Sequence, residues 1–245
     1  MMFFQLLVVA ILAPTYLAFT PLYRGEGRFF LDTADPAEWD SLLKLGIFYG
    51  VTTNPTILER CNQPCTIENI HSLAKQALAQ TEEFMCQAWG STAKEMYETG
   101  MALSRPDRDR IVVKVPVTMM GVEAAHLLHQ SGVRICLTAC YDSKQALLAA
   151  SVGAEYLAPY CGRMTDAGKN GEEECMRMLD IVDGLSGETR ILAASLRSVD
   201  SIARLAEAGL NTFTFSPEVA RMMFDEPLTD QAASDFEEAA ARGSS

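Results

Sequence analysis

The residues of this 245-residue chain that can do chemistry recur at a regular interval. Asp32, Asn54, Gln87, Lys114, Thr138, Tyr160 and Ser195 each stand at or just beyond the end of a short apolar run. The gaps between them are 22, 33, 27, 24, 22 and 35 residues. Each gap is the length of one strand plus one helix. A single polar residue at a strand end is often only a turn or cap residue. Seven of them in phase point to one polar mouth at one end of an assembly of strands.

Lys114 is the most informative of the seven. It sits in Ile111-Val112-Val113-Lys114-Val115-Pro116, although lysine is almost never fully buried without a partner. Strand alternation gives it the face of Val112 and Pro116, opposite Ile111, Val113 and Val115. In a central strand that face is the interior. Desolvation disfavours an ammonium, so the sequence predicts an amine below its ordinary value of about 10.4; reaching about 7 costs roughly 4–5 kcal/mol. A neutral amine can attack a ketone and form an imine. The protonated imine withdraws electrons from the neighbouring carbon–carbon bond, which is aldol chemistry without a cofactor.

Such chemistry needs further groups, and the other strand ends supply them. Asp32 fits an acid/base and hydroxyl anchor, while Thr53, Asn54 and Gln87 offer polar groups to substrate hydroxyls. Thr138 and Tyr160 fit the holding of a catalytic water, with Tyr160 as general acid/base. Arg163, Ser195 and Arg197 fit an anion site, and the last two precede a helix whose free N–H groups favour phosphate.

The elements that must position these residues can be read from apolar periodicity. Strands are predicted at 28–32, 47–52, 83–89, 110–116, 134–138, 155–159, 190–194 and 211–215. Helical spacing covers 92–104, 121–130, 143–152, 172–185 and 199–208. Gly132, Gly153, Gly187 and Gly209 fall where helix-ending glycines belong. Eight strands, each followed by a helix, predict an α/β fold: a single-domain (β/α)8 barrel over 28–245 with right-handed crossovers. The rival, an open doubly wound sheet, lacks its Gly-x-Gly-x-x-Gly signature after the first strand. A last helical stretch, about 230–241, extends past the eighth unit and is free to pack on a neighbouring subunit.

Composition narrows the function. Net charge is -12, with 32 acidic residues against 20 Lys plus Arg, which argues against a general nucleic-acid binder. Of the seven cysteines, Cys86, Cys136, Cys140 and Cys161 lie in or beside apolar runs and read as free thiols in a reducing compartment. Cys61 and Cys65 have no second Cys or His pair near by, so zinc is not expected.

Residues 1–27 differ in kind from the rest. The apolar run 2–13 is short for a membrane span and fits a signal-peptide core, so no stable membrane anchoring is expected. Leu17-Ala18-Phe19-Thr20-Pro21 resembles the junction of two-part plastid presequences in algae with secondary plastids. The expectation is a plastid enzyme, with a cytoplasmic or secreted protein as the alternatives.

Several motifs resemble, in order, those of the fructose-6-phosphate aldolase and small transaldolase family. They are Phe30-Leu31-Asp32-Thr33-Ala34, Gly50-Val51-Thr52-Thr53-Asn54-Pro55-Thr56, Val113-Lys114-Val115-Pro116-Val117-Thr118, Ala154 to Tyr160, and Leu192-Ala193-Ala194-Ser195. The resemblance runs from about Arg28 to Met222. It implies a barrel with a Schiff-base lysine on the fourth strand, which is Lys114, and neither a metal nor an organic cofactor. It also implies sugar-phosphate substrates and a ring-based homo-oligomer, typically a decamer, with the C-terminal helix reaching the next subunit. Within that family Gln on the third strand and Tyr on the sixth mark the aldolases, and this chain has Gln87 and Tyr160. The resemblance therefore implies reversible cleavage of fructose 6-phosphate to dihydroxyacetone and glyceraldehyde 3-phosphate. Ser195-Leu196-Arg197 follows a pattern common to transaldolases and keeps dihydroxyacetone transfer between sugar phosphates as the alternative. A barrel serving only binding or assembly is the remote one.

Overall fold

The computed structural model describes residues 27–185 and 187–243; the expected leader, 1–27, lies outside them except for Gly27. Eight parallel strands close into a barrel in chain order: β1 Arg28–Asp32, β2 Gly50–Thr52, β3 Glu83–Gln87, β4 Ile111–Pro116, β5 Arg134–Cys140, β6 Tyr156–Pro159, β7 Arg190–Ala193 and β8 Thr212–Phe215. β8 pairs with β1, Arg28 against Thr212, and completes the ring. The outer helices are α1 Pro36–Leu42, α2 Pro55–Arg60, α3 Ile67–Ala77, α4 Ala93–Ser104, α5 Met119–Gln130, α6 Gln145–Val152, α7 Cys161–Asp166, α8 Gly171–Gly184, α9 Val199–Glu207, α10 Pro217–Met222 and α11 Pro227–Gly243. This is the (β/α)8 barrel with an extra C-terminal helix that the alternation of elements predicts.

The strands read as nearly continuous apolar runs because both of their faces are covered. One set of alternate side chains, including Leu31, Val51, Val113, Ile135 and Leu157, packs outward under the helices. The other set, Phe30, Met85, Val112, Cys136, Tyr156, Ala158 and Leu192, fills the barrel interior as a separate cluster. Lys114 belongs to the second set by alternation, two residues beyond Val112.

Local chemistry sets the helix ends. Asp35, Asn54, Thr66, Thr92, Thr118, Asn170, Ser198 and Ser216 each accept a backbone N–H with the side chain at an N-cap, a contact worth about 1 kcal/mol each. Gly132, Gly153 and Gly209 follow their helices with positive φ, as expected. Gly187 does not: α8 ends at Gly184 with Leu185 as its cap, and Gly187 lies in the connection to β7.

Two further differences from the sequence reading have structural causes. β5 runs to Cys140 because a bulge shifts its register between Leu137 and Cys140, with Ala139 at φ 57° absorbing the extra residue. The short helices α2, α7 and α10 lie between a strand and the next main element. Six-residue segments carry too few turns to show helical periodicity in the sequence.

The opposite, N-terminal end of the barrel is closed by ionic groups. Arg134 donates to Glu83 Oε2 at 2.5 Å and, with two nitrogens, to Glu155 at 2.7 and 2.5 Å. Arg28 lies 4.5 Å over the Tyr49 ring and donates to the Tyr156 hydroxyl. Glu83 is fully buried, and its Oε1 has no partner among the described residues. Burial pushes this carboxyl above the usual carboxylate range, against the pull of Arg134.

Candidate active site

At the C-terminal end of the barrel an open cavity of about 290 Å³ has Lys114 at its base. Asp32, Asn54, Tyr160, Arg163, Ser195 and Arg197 also line it. Six of the ten residues singled out from sequence thus meet Lys114 in one cavity, brought there by β1, β2, β6 and β7. Parallel strands that all point one way deliver their ends to one mouth.

Lys114 is 2% exposed; its backbone carbonyl accepts Ala88 N–H at 2.9 Å, while its amine makes no hydrogen bond or ion pair to a described residue. It stands in register between Gln87 on β3 and Cys136 on β5. Burial lowers its pKa, but Tyr160, Asp32, Cys136 and Cys86 act the other way and outweigh it, so the amine stands above its ordinary value. This corrects the sequence expectation of a depressed amine. An apolar strand favours deprotonation, but Tyr160 first and then the Asp32 carboxylate across the mouth favour the ammonium. Cys86 and Cys136 beside it are themselves pushed up to about 12 by burial and stay thiols.

Asp32 is held by a chain of hydroxyls. Thr52 Oγ1 donates to Asp32 Oδ1 at 2.6 Å and lies 2.5 Å from Thr214 Oγ1. Thr52 and Thr214 were not singled out from the sequence. The alternation Thr212-Phe213-Thr214-Phe215 carried the signal for β8, and Thr52 shares the inward parity of Gly50. Thr53, which was singled out, is fully buried outside the cavity, and its hydroxyl has no partner among the described residues. One residue of register moves a side chain to the other face of the strand, and Thr52 rather than Thr53 points into the barrel, under Asp32.

Asn54 does two jobs. Its Oδ1 caps α2 by accepting Ile57 N–H at 3.0 Å, which fixes the side chain, and the residue lines the cavity. Gln87 is half-buried beside Lys114 on β3 but does not line the cavity, and it makes no hydrogen bond to a described residue. Thr138 is buried behind the cavity wall and donates to Tyr160 Oη at 3.2 Å.

Tyr160 caps the start of α7 and is fixed from three sides. Thr138 holds its hydroxyl, Tyr141 packs edge-on with ring centroids 5.6 Å apart, and the Arg163 guanidinium lies 5.0 Å over its face. A hydrogen bond with Tyr141 is the main cause that raises Arg163 further above its ordinary value. Gly162 is required here: a Cβ on it would come 2.3 Å from the Ser195 carbonyl oxygen. The close approach brings α7 against the end of β7, where Ser195 holds φ 58°, a conformation costly for a non-glycine residue and common at functional sites. Arg197 lines the mouth but is engaged in a two-nitrogen ion pair with Asp166. Arg60, from the end of α2, lines the opposite rim; nothing in the sequence marked it, because α2 itself was not foreseen.

Fold and site together define a single-domain (β/α)8 barrel with a buried lysine under a cationic, hydroxyl-lined mouth. Residues 29–244 match the model of the transaldolase/fructose-6-phosphate aldolase family. The chain is similar to a probable transaldolase of Chelativorans sp. (strain BNC1), 34% identical over 209 residues that cover 85% of this chain and 94% of that protein. Probable transaldolases of Brucella anthropi and Bartonella quintana are 34% and 32% identical, with the same coverage of both chains. The chain belongs to the transaldolase/fructose-6-phosphate aldolase family and is an enzyme of that family.

Proposed function

We propose that the protein is a Schiff-base aldolase that reversibly cleaves fructose 6-phosphate to dihydroxyacetone and glyceraldehyde 3-phosphate. Lys114 Nζ adds to the C2 carbonyl, water leaves, and an iminium forms. Asp32 takes the proton from the C4 hydroxyl as the C3–C4 bond breaks. The bond's electron pair passes into an enamine, and the aldehyde departs. Tyr160 directs a proton to C3, and hydrolysis of the iminium frees dihydroxyacetone and Lys114. Arg163, Ser195 and Arg197 take the phosphate end, while Asn54 serves the hydroxyls of the three-carbon unit.

The observation that carries this reading is the Tyr160 hydroxyl held at the mouth by Thr138. A phenol there can protonate the enamine, the step that separates release of dihydroxyacetone from its transfer. A second reading, transaldolase, is favoured by the names of the similar bacterial proteins and by Arg197 two residues after Ser195. The two separate in one assay: fructose 6-phosphate is supplied with and without erythrose 4-phosphate. Dihydroxyacetone released without acceptor is expected; turnover only with acceptor establishes the transferase instead.

Helix α11 supports assembly with further copies of the chain. None of its 17 residues is buried, with Leu228 79% and Phe236 71% exposed. A helix of this length is marginal alone in water, and a neighbouring subunit would supply the packing it lacks. The plastid location rests on the Leu17-Ala18-Phe19-Thr20-Pro21 junction and on seven cysteines with no disulfide among them. Imaging a fusion to residues 1–30 tests it.

A further inference from the structure

The cavity at the mouth is lined by four cationic side chains, Arg60, Lys114, Arg163 and Arg197, against one carboxylate, Asp32. The whole chain carries a net charge of -12, so this local excess of positive charge runs against the composition. The three arginines are not equivalent. Arg197 is committed to Asp166 through two nitrogens. Arg163 is laid over the Tyr160 ring and bonded to Tyr141. Arg60 is exposed and, among the described residues, has no hydrogen bond, ion pair or ring contact. It is the one guanidinium of the mouth with all its donors available.

A phosphate monoester brings between one and two negative charges and three strong acceptors. Arg163 with a partly neutralised Arg197 leaves some of that charge and some of those acceptors unmet. We propose that Arg60 is a further phosphate-binding and specificity-determining residue, closing on the terminal phosphate of the acceptor aldehyde from the rim opposite Arg163 and Arg197.

The placement on α2 supports this. Asn54 caps the start of that helix, and Arg60 ends it. Six residues of helix set the two about 9 Å apart along the axis, comparable to an extended six-carbon chain together with its terminal phosphate. One rigid element thus presents an amide to the donor end of the substrate and a cation to the other end. The cap fixes the helix, with Oδ1 of Asn54 on Ile57 N–H at 3.0 Å, and Ile57 and Leu58 anchor it to the core. Only the Arg60 side chain has to reorient to reach the anion. Phosphate bound between opposed guanidiniums also covers the mouth, which strengthens the electrostatic contacts beneath it.

This inference rests on the aldol reading for its substrate, but it holds for lyase and transferase alike, since both take a phosphorylated aldehyde. The test compares wild type, Arg60→Ala and Arg60→Lys. Binding of glycerol 3-phosphate, a non-reacting stand-in for the aldehyde phosphate, is measured by calorimetry. KM is measured for glyceraldehyde 3-phosphate and for unphosphorylated glyceraldehyde with dihydroxyacetone as donor. The expected result for Arg60→Ala is a tenfold or larger loss of glycerol 3-phosphate affinity. The ratio of the two KM values should rise by a similar factor, and Arg60→Lys should recover part of both. Unchanged glycerol 3-phosphate affinity, or KM values that rise equally for both aldehydes, overturns the proposal. If the wild type forms no aldol product, the functional reading fails by itself, and the calorimetry still decides the role of Arg60.

Discussion

Thr138 on β5 and Tyr160 just beyond β6, 22 residues apart, share a hydrogen bond of 3.2 Å, and the tyrosine ring is clamped between Tyr141 and Arg163. The phenol is therefore held on three sides at the mouth. The Lys114 amine, by contrast, meets no described residue by hydrogen bond and lies at the base of the cavity.

Tyr160→Phe should keep the ring packing and lose only the hydroxyl. Release of dihydroxyacetone from fructose 6-phosphate is expected to fall by about 10²-fold or more, the usual weight of a general acid/base group. Transfer to erythrose 4-phosphate should survive, because the enamine then attacks an aldehyde and needs no proton at carbon. Equal loss of both activities would make the tyrosine a structural group.

Because the Lys114 amine stands above its ordinary value, the free enzyme holds it as an ammonium near neutrality. Its neutral fraction grows about tenfold per pH unit below the pKa. The initial rate of borohydride trapping with dihydroxyacetone should therefore climb between about pH 6 and pH 9. Asp32→Asn, which removes a charge that raises the amine, should move that climb to lower pH. A flat profile in the wild type contradicts the assignment, and Lys114→Met should give no adduct at any pH.

The ionic closure at the other end of the barrel makes stability depend on pH. Burial raises the Glu155 carboxyl, but its hydrogen bonds and charge contacts with Arg134 and Arg28 outweigh this and leave it lowered. A lowered folded value means the contribution is complete above the unfolded value of about 4.3 and is lost as pH falls through the folded one. Glu155→Gln is expected to cost about 1.5–3 kcal/mol at neutral pH, the range for a charged hydrogen bond, and little in acid. Glu83, raised by burial, has the opposite sign: between its unfolded and folded values stability falls as pH rises. Urea midpoints of wild type and variant across the acid range measure both effects.

Removal of α11 by a stop after Glu226 takes away no residue buried in the barrel. The truncated chain should keep the wild-type circular dichroism and sediment as a smaller species. An unchanged sedimentation coefficient relative to subunit mass removes α11 from the assembly.

Much of the barrel was legible because its causes are local. Eight apolar runs, helical spacing between them, and glycines such as Gly132, Gly153 and Gly209 record the burial and turn geometry of each unit in adjacent residues. The regular spacing of Asp32, Asn54, Lys114, Tyr160 and Ser195 also follows from connectivity, since every strand of a parallel barrel ends at the same mouth. The chain thus determined by itself which strand ends meet in one cavity and which lysine lies at its base.

Only the tertiary structure decided how those groups act on one another. Strand parity separated Thr52, bonded to Asp32, from Thr53, buried outside the cavity. The closing of β8 onto β1 brought Thr214 to Thr52 from 162 residues away. Contacts across the mouth reversed the sign expected for the lysine, because a pKa reflects every charge within reach and not the apolar residues flanking it in sequence. The short helix α2 carried Arg60 to the rim, and the Asp166 pair set Arg197 apart from it. Each of these depends on distances between segments far apart in the chain, which periodicity within a segment does not encode.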